Sequence, residues 1–408
     1  MRILFINKSD AGGGAAVAMN RIADGLAQFH GTENYFVVAK KKSGRPNVYA
    51  TRGFYGWIIE ETIDRVTRRF GAEGFCFPFS GPAIRRMVHA LKPDCIVLNN
   101  IHSGYFPLSL MPDIARIAPL YWVVHDLWPV TGHCTYPSLD CRNWQDSCGN
   151  CQHLGTYPSL GKDTTKKLAD YKRRIYDEAK PFFIVGSHWM EDILRKSPLT
   201  GNHRITRIPH GIPTDFFSPQ NKTIARHQFG ITDENPILLF AAEHLGNPFK
   251  GSLFLRDILC RLDQQATGPI HLILAGKGQL PFPTIYHHIT PLSIGFVPTT
   301  NMPLLFSATD ILLFPSQAES FGLTPLESSA CGAVPVVFGV GPLAENIIDG
   351  RTGVVVPPFD TTFFAAKVAA LIHDADARAR LSAAGREHIK KEFAPETVAK
   401  SYFELFGK

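Results

Sequence analysis

No window of 18 or more unbroken apolar residues occurs anywhere in this chain of 408 residues. A bilayer-spanning helix needs about 20, so none is expected. The apolar opening, Ile3-Leu4-Phe5-Ile6, is too short for a signal-peptide core and runs at once into a glycine-rich loop. It points to a protein of the cytosol or of the inner face of a membrane. Charge is also scarce. Asp, Glu, Lys and Arg make up 19% of the chain and hydrophobic residues 45%, which excludes a disordered chain. No nucleic-acid motif accompanies the basic residues. Nor does any G-x-G-x-x-G precede an acid about twenty residues on, so a dinucleotide oxidoreductase is not expected.

What charge there is lies unevenly. Residues 1–220 carry a net +8 and residues 221–408 a net −2. A basic first half beside a near-neutral second half points to an anionic partner for the first, such as membrane phospholipid or a lipid-pyrophosphate acceptor. Phe54 to Phe70 mixes aromatic residues with Arg65, Arg68 and Arg69. That pattern fits an interfacial membrane contact or an ordinary amphipathic helix packed on a sheet.

The length suits two domains. Ile3–Ile6 reads as a buried strand, Gly12-Gly13-Gly14 as the loop after it, and Ala16 to Phe29 as a helix with an apolar side. Tyr35–Ala39, Cys95–Leu98, Leu120–Val124 and Phe182–Val185 read as further strands, and Arg207-Ile208-Pro209 closes the half. The pattern restarts after Asp215–Pro219, read as a linker, with strands at 236–241, 270–275, 294–297, 311–314 and 334–337. Such alternation predicts an α/β protein with two doubly wound parallel sheets facing across a cleft. The expected domains are residues 1–215, with a Cys-rich insertion at about 131–155, and residues 216–392. A final helix follows at 393–408.

Between the strand at 311–314 and a helix beginning near Pro325 lie two carboxylates eight positions apart, Glu319 and Glu327, with Gly322 between them. A strand that ends in a Gly-bearing loop and opens a helix makes an anion site, because the N–H groups of the first turn are unpaired. Carboxylates beside a phosphate site suit sugar hydroxyls, whose O–H groups they accept. The residues thus describe a nucleotide-sugar pocket, with diphosphate on the helix end near Phe321, Gly322, Leu323 and Thr324. One Glu serves the transferred sugar and the other the ribose.

The run Glu319-Ser-Phe-Gly-Leu-Thr-Pro-Leu-Glu327 resembles the E-x-F-G-x-x-x-x-E motif of the retaining glycosyltransferases of family 4, which have the GT-B fold. The resemblance implies a sugar transfer from a UDP- or GDP-linked donor to a glycan or lipid-linked acceptor, with no cofactor for catalysis. It implies that His125, directly after the strand 120–124, lies near the donor sugar, that Lys250 neutralises the diphosphate, and that Glu319 holds the sugar. Gly13 and Gly14 would approach the donor phosphate or the acceptor. Gly278 and Val297 would sit in loops that hold the base, and the terminal helix would return to the first domain. The family usually carries an Arg just after the strand that precedes its Lys; here Ala242-Glu243-His244-Leu245 has none. Lys250 then acts alone, or Arg351 or Lys277 substitutes. A GT-B epimerase and a non-catalytic nucleotide- or glycan-binding scaffold remain as alternatives. The phosphorylase alternative lacks a Lys in a pyridoxal context.

Four of the eight cysteines crowd the insertion: Cys134, Cys141, Cys148 and Cys151, with His133 and His153 alongside. The closing C-x2-C is a common zinc half-site. A structural zinc, free thiols, a disulfide and an iron–sulfur cluster all remain open. The insertion resembles that of bacterial transferases that build exopolysaccharide or O-antigen, which implies a lipid-linked acceptor.

Overall fold

The computed structural model describes residues 1–137, 141–283 and 285–407. It divides into two compact units, the first comprising Met1–His210 with Glu396–Lys408, the second Gly211–Pro395.

The first unit is built on a seven-stranded sheet. Its strands are β1 (Arg2–Ser9), β2 (Glu33–Lys40), β3 (Val48–Ala50), β4 (Cys95–Leu98), β5 (Leu120–Val124), β6 (Phe182–Val185) and β7 (Ile205–Arg207). The order is β3-β2-β1-β4-β5-β6-β7 and every pairing is parallel. Strands buried on both faces read as unbroken apolar runs, and Ile3 to Ile6 are wholly buried. Alternation still decides which layer each side chain joins. Leu4, Ile6, Trp122 and Val124 enter one apolar cluster, while Ile3, Phe5, Tyr121 and Val123 enter the other.

That second cluster is closed by the last helix, Pro395–Phe406. Phe406 packs on Tyr121 with ring centroids 4.6 Å apart, Tyr121 Oη donates to the Leu405 carbonyl at 3.1 Å, and Phe403 stacks on His30 at 4.3 Å. Helix α1 (Gly14–His30) and helix α2 (Phe54–Arg69) follow β1 and β3. The residues that α2 buries are acids, Glu60 and Asp64.

The second unit has six parallel strands, β8 (Ile237–His244), β9 (Ile270–Lys277), β10 (Ile289–Gly295), β11 (Ile311–Phe314), β12 (Val334–Phe338) and β13 (Val354–Val356), in the order β10-β9-β8-β11-β12-β13. Three features depart from expectation. The strand expected at 294–297 is β10, which starts at Ile289 and leaves Phe296 and Val297 in the following loop. It contains Pro291, which an edge strand tolerates because one side needs no N–H donor. The expected linker Asp215–Pro219 belongs to the second unit, since Phe217 is buried in that unit's core against Phe306. Finally, β3 and β13 are each three residues long, too short to leave a periodic signal.

Phe406→Ala should destabilise the first unit's unfolding transition by about 3 kcal/mol, the usual cost of deleting a buried aromatic ring. Denaturant melts checked on the full chain should show the second unit's transition unmoved.

Candidate active site

In the second unit the predicted residues meet around the ends of β8 and β11. Lys250 closes a short 3-10 turn, Pro248–Lys250, and Glu319 follows β11. Their side chains form an ion pair, Lys250 Nζ to Glu319 Oε1, at 2.6 Å. Glu319 is 8% exposed, so the pair is shielded more than a surface pair. Gly251 makes the approach possible. Its φ is +82°, and a Cβ there would overlap the Pro315 carbonyl. The two loops are stitched further by Gln317, whose amide N–H donates to the Phe249 carbonyl at 2.9 Å and whose side chain donates to the Pro248 carbonyl at 2.9 Å.

The helix that follows is Leu323–Ala330. Gly322 precedes it at φ +85°, and no side chain caps its first turn. Phe321 is buried against Phe393, and its carbonyl accepts from Asn346 Nδ2 at 2.6 Å, which fixes the entry into the helix. Leu323 and Thr324 are half-buried at the helix start. Glu327 lies one turn further on, 9% exposed. The free N–H groups of this end suit a phosphate.

The other predicted members of this unit sit at the neighbouring strand ends. Gly278 follows β9 at φ +73° with open space where a side chain would be. Lys277 is drawn to the Phe296 ring (4.9 Å) and to Glu243 (4.0 Å), which joins the loop of Gly278 to that of Val297. Burial holds the His388 pKa down, and Arg351 adds to that effect. Lys250 is the cation that these residues bring to Glu319.

In the first unit Gly13 precedes α1 at φ +77° and Gly14 opens the helix; both face open space. His125 follows β5 at once. Its Nε2 meets Asn99 Oδ1 at 2.8 Å, and its ring stacks on His210 at 5.3 Å. It does not pair with Asp126, whose carboxylate is taken by His102 Nε2 (2.8 Å) and the Trp128 amide (2.9 Å). Because Asn99 Oδ1 only accepts, Nε2 of His125 is the protonated nitrogen. The ring nitrogen left over, Nδ1, is therefore an acceptor. Burial, seconded by the neighbouring His210, holds the His125 pKa down to about 3. Burial, then Arg21, holds His210 to about 4.

Sequence reasoning missed Asn99, His102 and His210. A signal existed for the first two: Asn99-Asn100-Ile101-His102 is a polar run directly after the apolar strand β4. His210 carries no local signal, as its contact with His125 is long-range.

The insertion is tied down by a buried ammonium. Lys172 Nζ donates to the carbonyls of Trp128 (2.8 Å) and Thr131 (3.0 Å) and lies 3.4 Å from the Trp128 ring centroid. Burial lowers its pKa to about 8, and burial raises that of nearby Glu73 to about 7. Cys141, Cys148 and Cys151 line one cavity with His153 and Asp163. The Gly132 amide donates to Cys148 Sγ at 3.1 Å and the His153 amide to Cys151 Sγ at 3.4 Å. Cys151 Sγ is 3.7 Å from His133 Nε2. Burial pushes the Cys134 thiol up to about 12 and raises those of Cys148 and Cys151. All four are free thiols. Among the described residues, no three His, Cys, Asp or Glu side chains stand together in a metal-holding group.

Two outcomes follow. Elemental analysis with thiol titration checks the expected structural zinc: about one zinc per chain bears it out, and four titratable thiols without metal overturn it. The pH dependence of stability follows from His125 and His210. Each has a folded pKa below its unfolded value of about 6.5, so their contribution is complete above that value. It is lost as the pH falls from 6.5 towards 4, where the unfolded chain binds protons that the folded one excludes. The expected slope is roughly 1.4 kcal/mol per pH unit for each histidine. Thermal melts of His210→Gln should show a shallower loss over that window.

Comparison with known proteins bears on the chain as a whole. Residues 12–216 match Glycosyltransferase Family 4 and residues 221–388 match Glycosyl transferases group 1. A D-inositol 3-phosphate glycosyltransferase of Stackebrandtia nassauensis is 28% identical over 211 residues, which are 48% of this chain and 46% of that protein. The chain spans about half the length of the curated relatives it matches. Among solved structures, sucrose-phosphate synthase of Thermosynechococcus elongatus superposes with a TM-score of 0.71 at 18% identity, covering 100% of this chain and 98% of that one. HepE of Anabaena, solved with UDP-glucose, superposes at 0.67 and 17% identity, covering 100% and 99%. Their fold class is GT-B, with two Rossmann-like parallel-sheet domains, and it is also the class of this chain. With a family match over half its length and both sheets parallel throughout, the chain belongs to the family 4 glycosyltransferases.

Proposed function

We propose that this protein is a retaining glycosyltransferase. It would move a sugar from a UDP- or GDP-linked donor to a glycan or lipid-linked glycan acceptor, in the synthesis of bacterial surface polysaccharide. The observation that carries this reading is the Lys250–Glu319 pair, 2.6 Å long and just ahead of the uncapped helix Leu323–Ala330.

In this reading the donor diphosphate lies on the first turn of that helix. As the bond from the anomeric carbon to the diphosphate oxygen breaks, negative charge gathers on the leaving phosphate. Lys250 and the helix N–H groups stabilise it, and they are oriented before the reaction begins. The acceptor hydroxyl attacks from the face that the leaving group departs. Its proton passes to a leaving phosphate oxygen, so the products are glycosylated acceptor and nucleoside diphosphate. Glu319 accepts from a hydroxyl of the transferred sugar and Glu327 from the ribose. His125 accepts a hydrogen bond from a substrate hydroxyl at Nδ1 and stays neutral throughout. The loops of Gly278 and Val297 hold the base through backbone groups. This route needs no metal and no protein nucleophile. The name of the inositol phosphate relatives adds a phosphorylated polyol as a second acceptor class for testing.

The absence of an Arg between Ala242 and Leu245 favours one rival, a non-catalytic nucleotide-binding scaffold. Slow release of UDP or GDP from a nucleotide sugar separates an enzyme from that scaffold, and a thermal-shift screen of nucleotides identifies the base.

Glu319→Ala should lower transfer about 10²-fold, comparable to losing one preorganised transition-state partner. Lys250→Ala should depress kcat more than it weakens nucleotide binding, because the leaving charge grows towards the transition state. The two residues share one interaction, so the double variant should lose less than the product of the single losses. Activity of Glu319→Ala within a few-fold of the parent would sink the assignment.

A further inference from the structure

Helix α2 is fastened inside out. At 3.6 residues per turn, Phe54, Tyr55, Ile58, Ile59, Val66 and Phe70 fall within an arc of about 160° of its surface. All six are exposed, Tyr55 by 80%, Phe70 by 73% and Phe54 by 67%. Arg65 and Arg69 lie on the same arc and are exposed too. The opposite side holds Glu60 and Asp64, both buried.

The acids explain the orientation. Glu60 Oε1 accepts from the amides of Phe79 (2.7 Å) and Ser80 (2.8 Å), its Oε2 accepts from Ser80 Oγ (2.6 Å), and Arg52 pairs with it. Asp64 pairs with Arg68 at 2.9 Å. Rolling α2 to hide its apolar arc would strip a buried carboxylate of all these partners, which costs more than the arc's exposure. The apolar stripe is therefore held outward by the fold. It continues into a groove of about 460 Å³ lined by Phe54, Tyr55, Phe79, Pro82 and Arg86.

We propose that this face docks on an anionic lipid bilayer, with the apolar arc entering the headgroup boundary and the arginines meeting lipid phosphates. Charge decides the occupant. The third acid of α2, Glu61, is drawn to Arg52 at 3.6 Å, so the exposed arc carries cations and no anion. A second copy of the chain would bring Arg65 and Arg69 against their own counterparts across a two-fold axis, a like-charge contact. A bilayer rich in anionic lipid is complementary to both the apolar and the basic features. The surface lies outside the residues assigned to the donor, so it stands or falls apart from the transferase reading.

The test is co-sedimentation of the full chain with vesicles of phosphatidylcholine alone and of phosphatidylcholine with phosphatidylglycerol. Three proteins are compared: the parent, the triple variant Tyr55→Ser, Ile59→Ser, Val66→Ser, and the variant Arg65→Glu, Arg69→Glu. These side chains are exposed, so both variants should melt like the parent. The parent should bind the anionic vesicles, and high salt should weaken that binding. The triple variant should bind at least about ten-fold more weakly, as expected for the loss of three inserted apolar groups. The arginine variant should lose the preference for anionic lipid. Nucleotide-sugar hydrolysis without vesicles should be the same in all three, so a hydrolysis failure in the parent counts against the transferase reading alone. Parent-like vesicle binding by the triple variant overturns the proposal. So does light scattering that shows a parent dimer broken by the same substitutions, which would assign the face to a second copy.

Discussion

The second unit's site depends on a glycine that lets one loop touch another. Gly251 packs against the Pro315 carbonyl at a distance no side chain would allow, and at a positive φ that other residues avoid. That contact brings the turn after β8 to the end of β11. Lys250 then reaches Glu319, although the two are 69 positions apart in sequence. The same strand end leads through Gly322 into an uncapped helix. Cation, carboxylate and helix N-terminus thus share one frame, which is what the proposed stabilisation of a leaving diphosphate requires, since groups oriented beforehand need no reorganisation as charge develops.

The first unit prepares its polar groups by a different route. Its sheet ends carry His125, His210, His102, Asp126 and Asn99, all buried. Burial keeps His125 and His210 neutral, and the hydrogen bond to Asn99 selects the tautomer of His125. Asp126 stays ionised: burial opposes this, but His102 and the Trp128 amide hold its pKa down. The result is a neutral imidazole that accepts beside a carboxylate with its partners already in place. The buried Lys172 anchors the start of the Cys-rich insertion to this frame through the carbonyls of Trp128 and Thr131. Leaving that ammonium without those acceptors would be costly, so the insertion's base is well determined.

Helix α2 shows how a polar anchor overrides apolar patterning. Its sequence reads as an amphipathic helix, and the usual inference buries the apolar side. Here a single carboxylate, Glu60, satisfies the start of the next helix, Ser80–Leu91, from below. The apolar side is left facing out.

The sequence by itself determined the two parallel-sheet units, most of the strands, the terminal helix and the motif Glu319–Glu327 with its helix start. These are written in local patterns: unbroken apolar runs, glycines at strand ends, and periodic helices. Short edge strands such as β3 and β13 escaped, as did the start of β10, because three residues or an internal proline leave no periodic trace. Only the tertiary structure decided that Lys250 meets Glu319, that His125 turns to Asn99 and His210 and leaves Asp126 to His102, and which face of α2 is exposed. Each of these outcomes rests on a contact between residues far apart in the chain, where the competition among partners is settled by burial and hydrogen bonding. No local pattern records which partner wins.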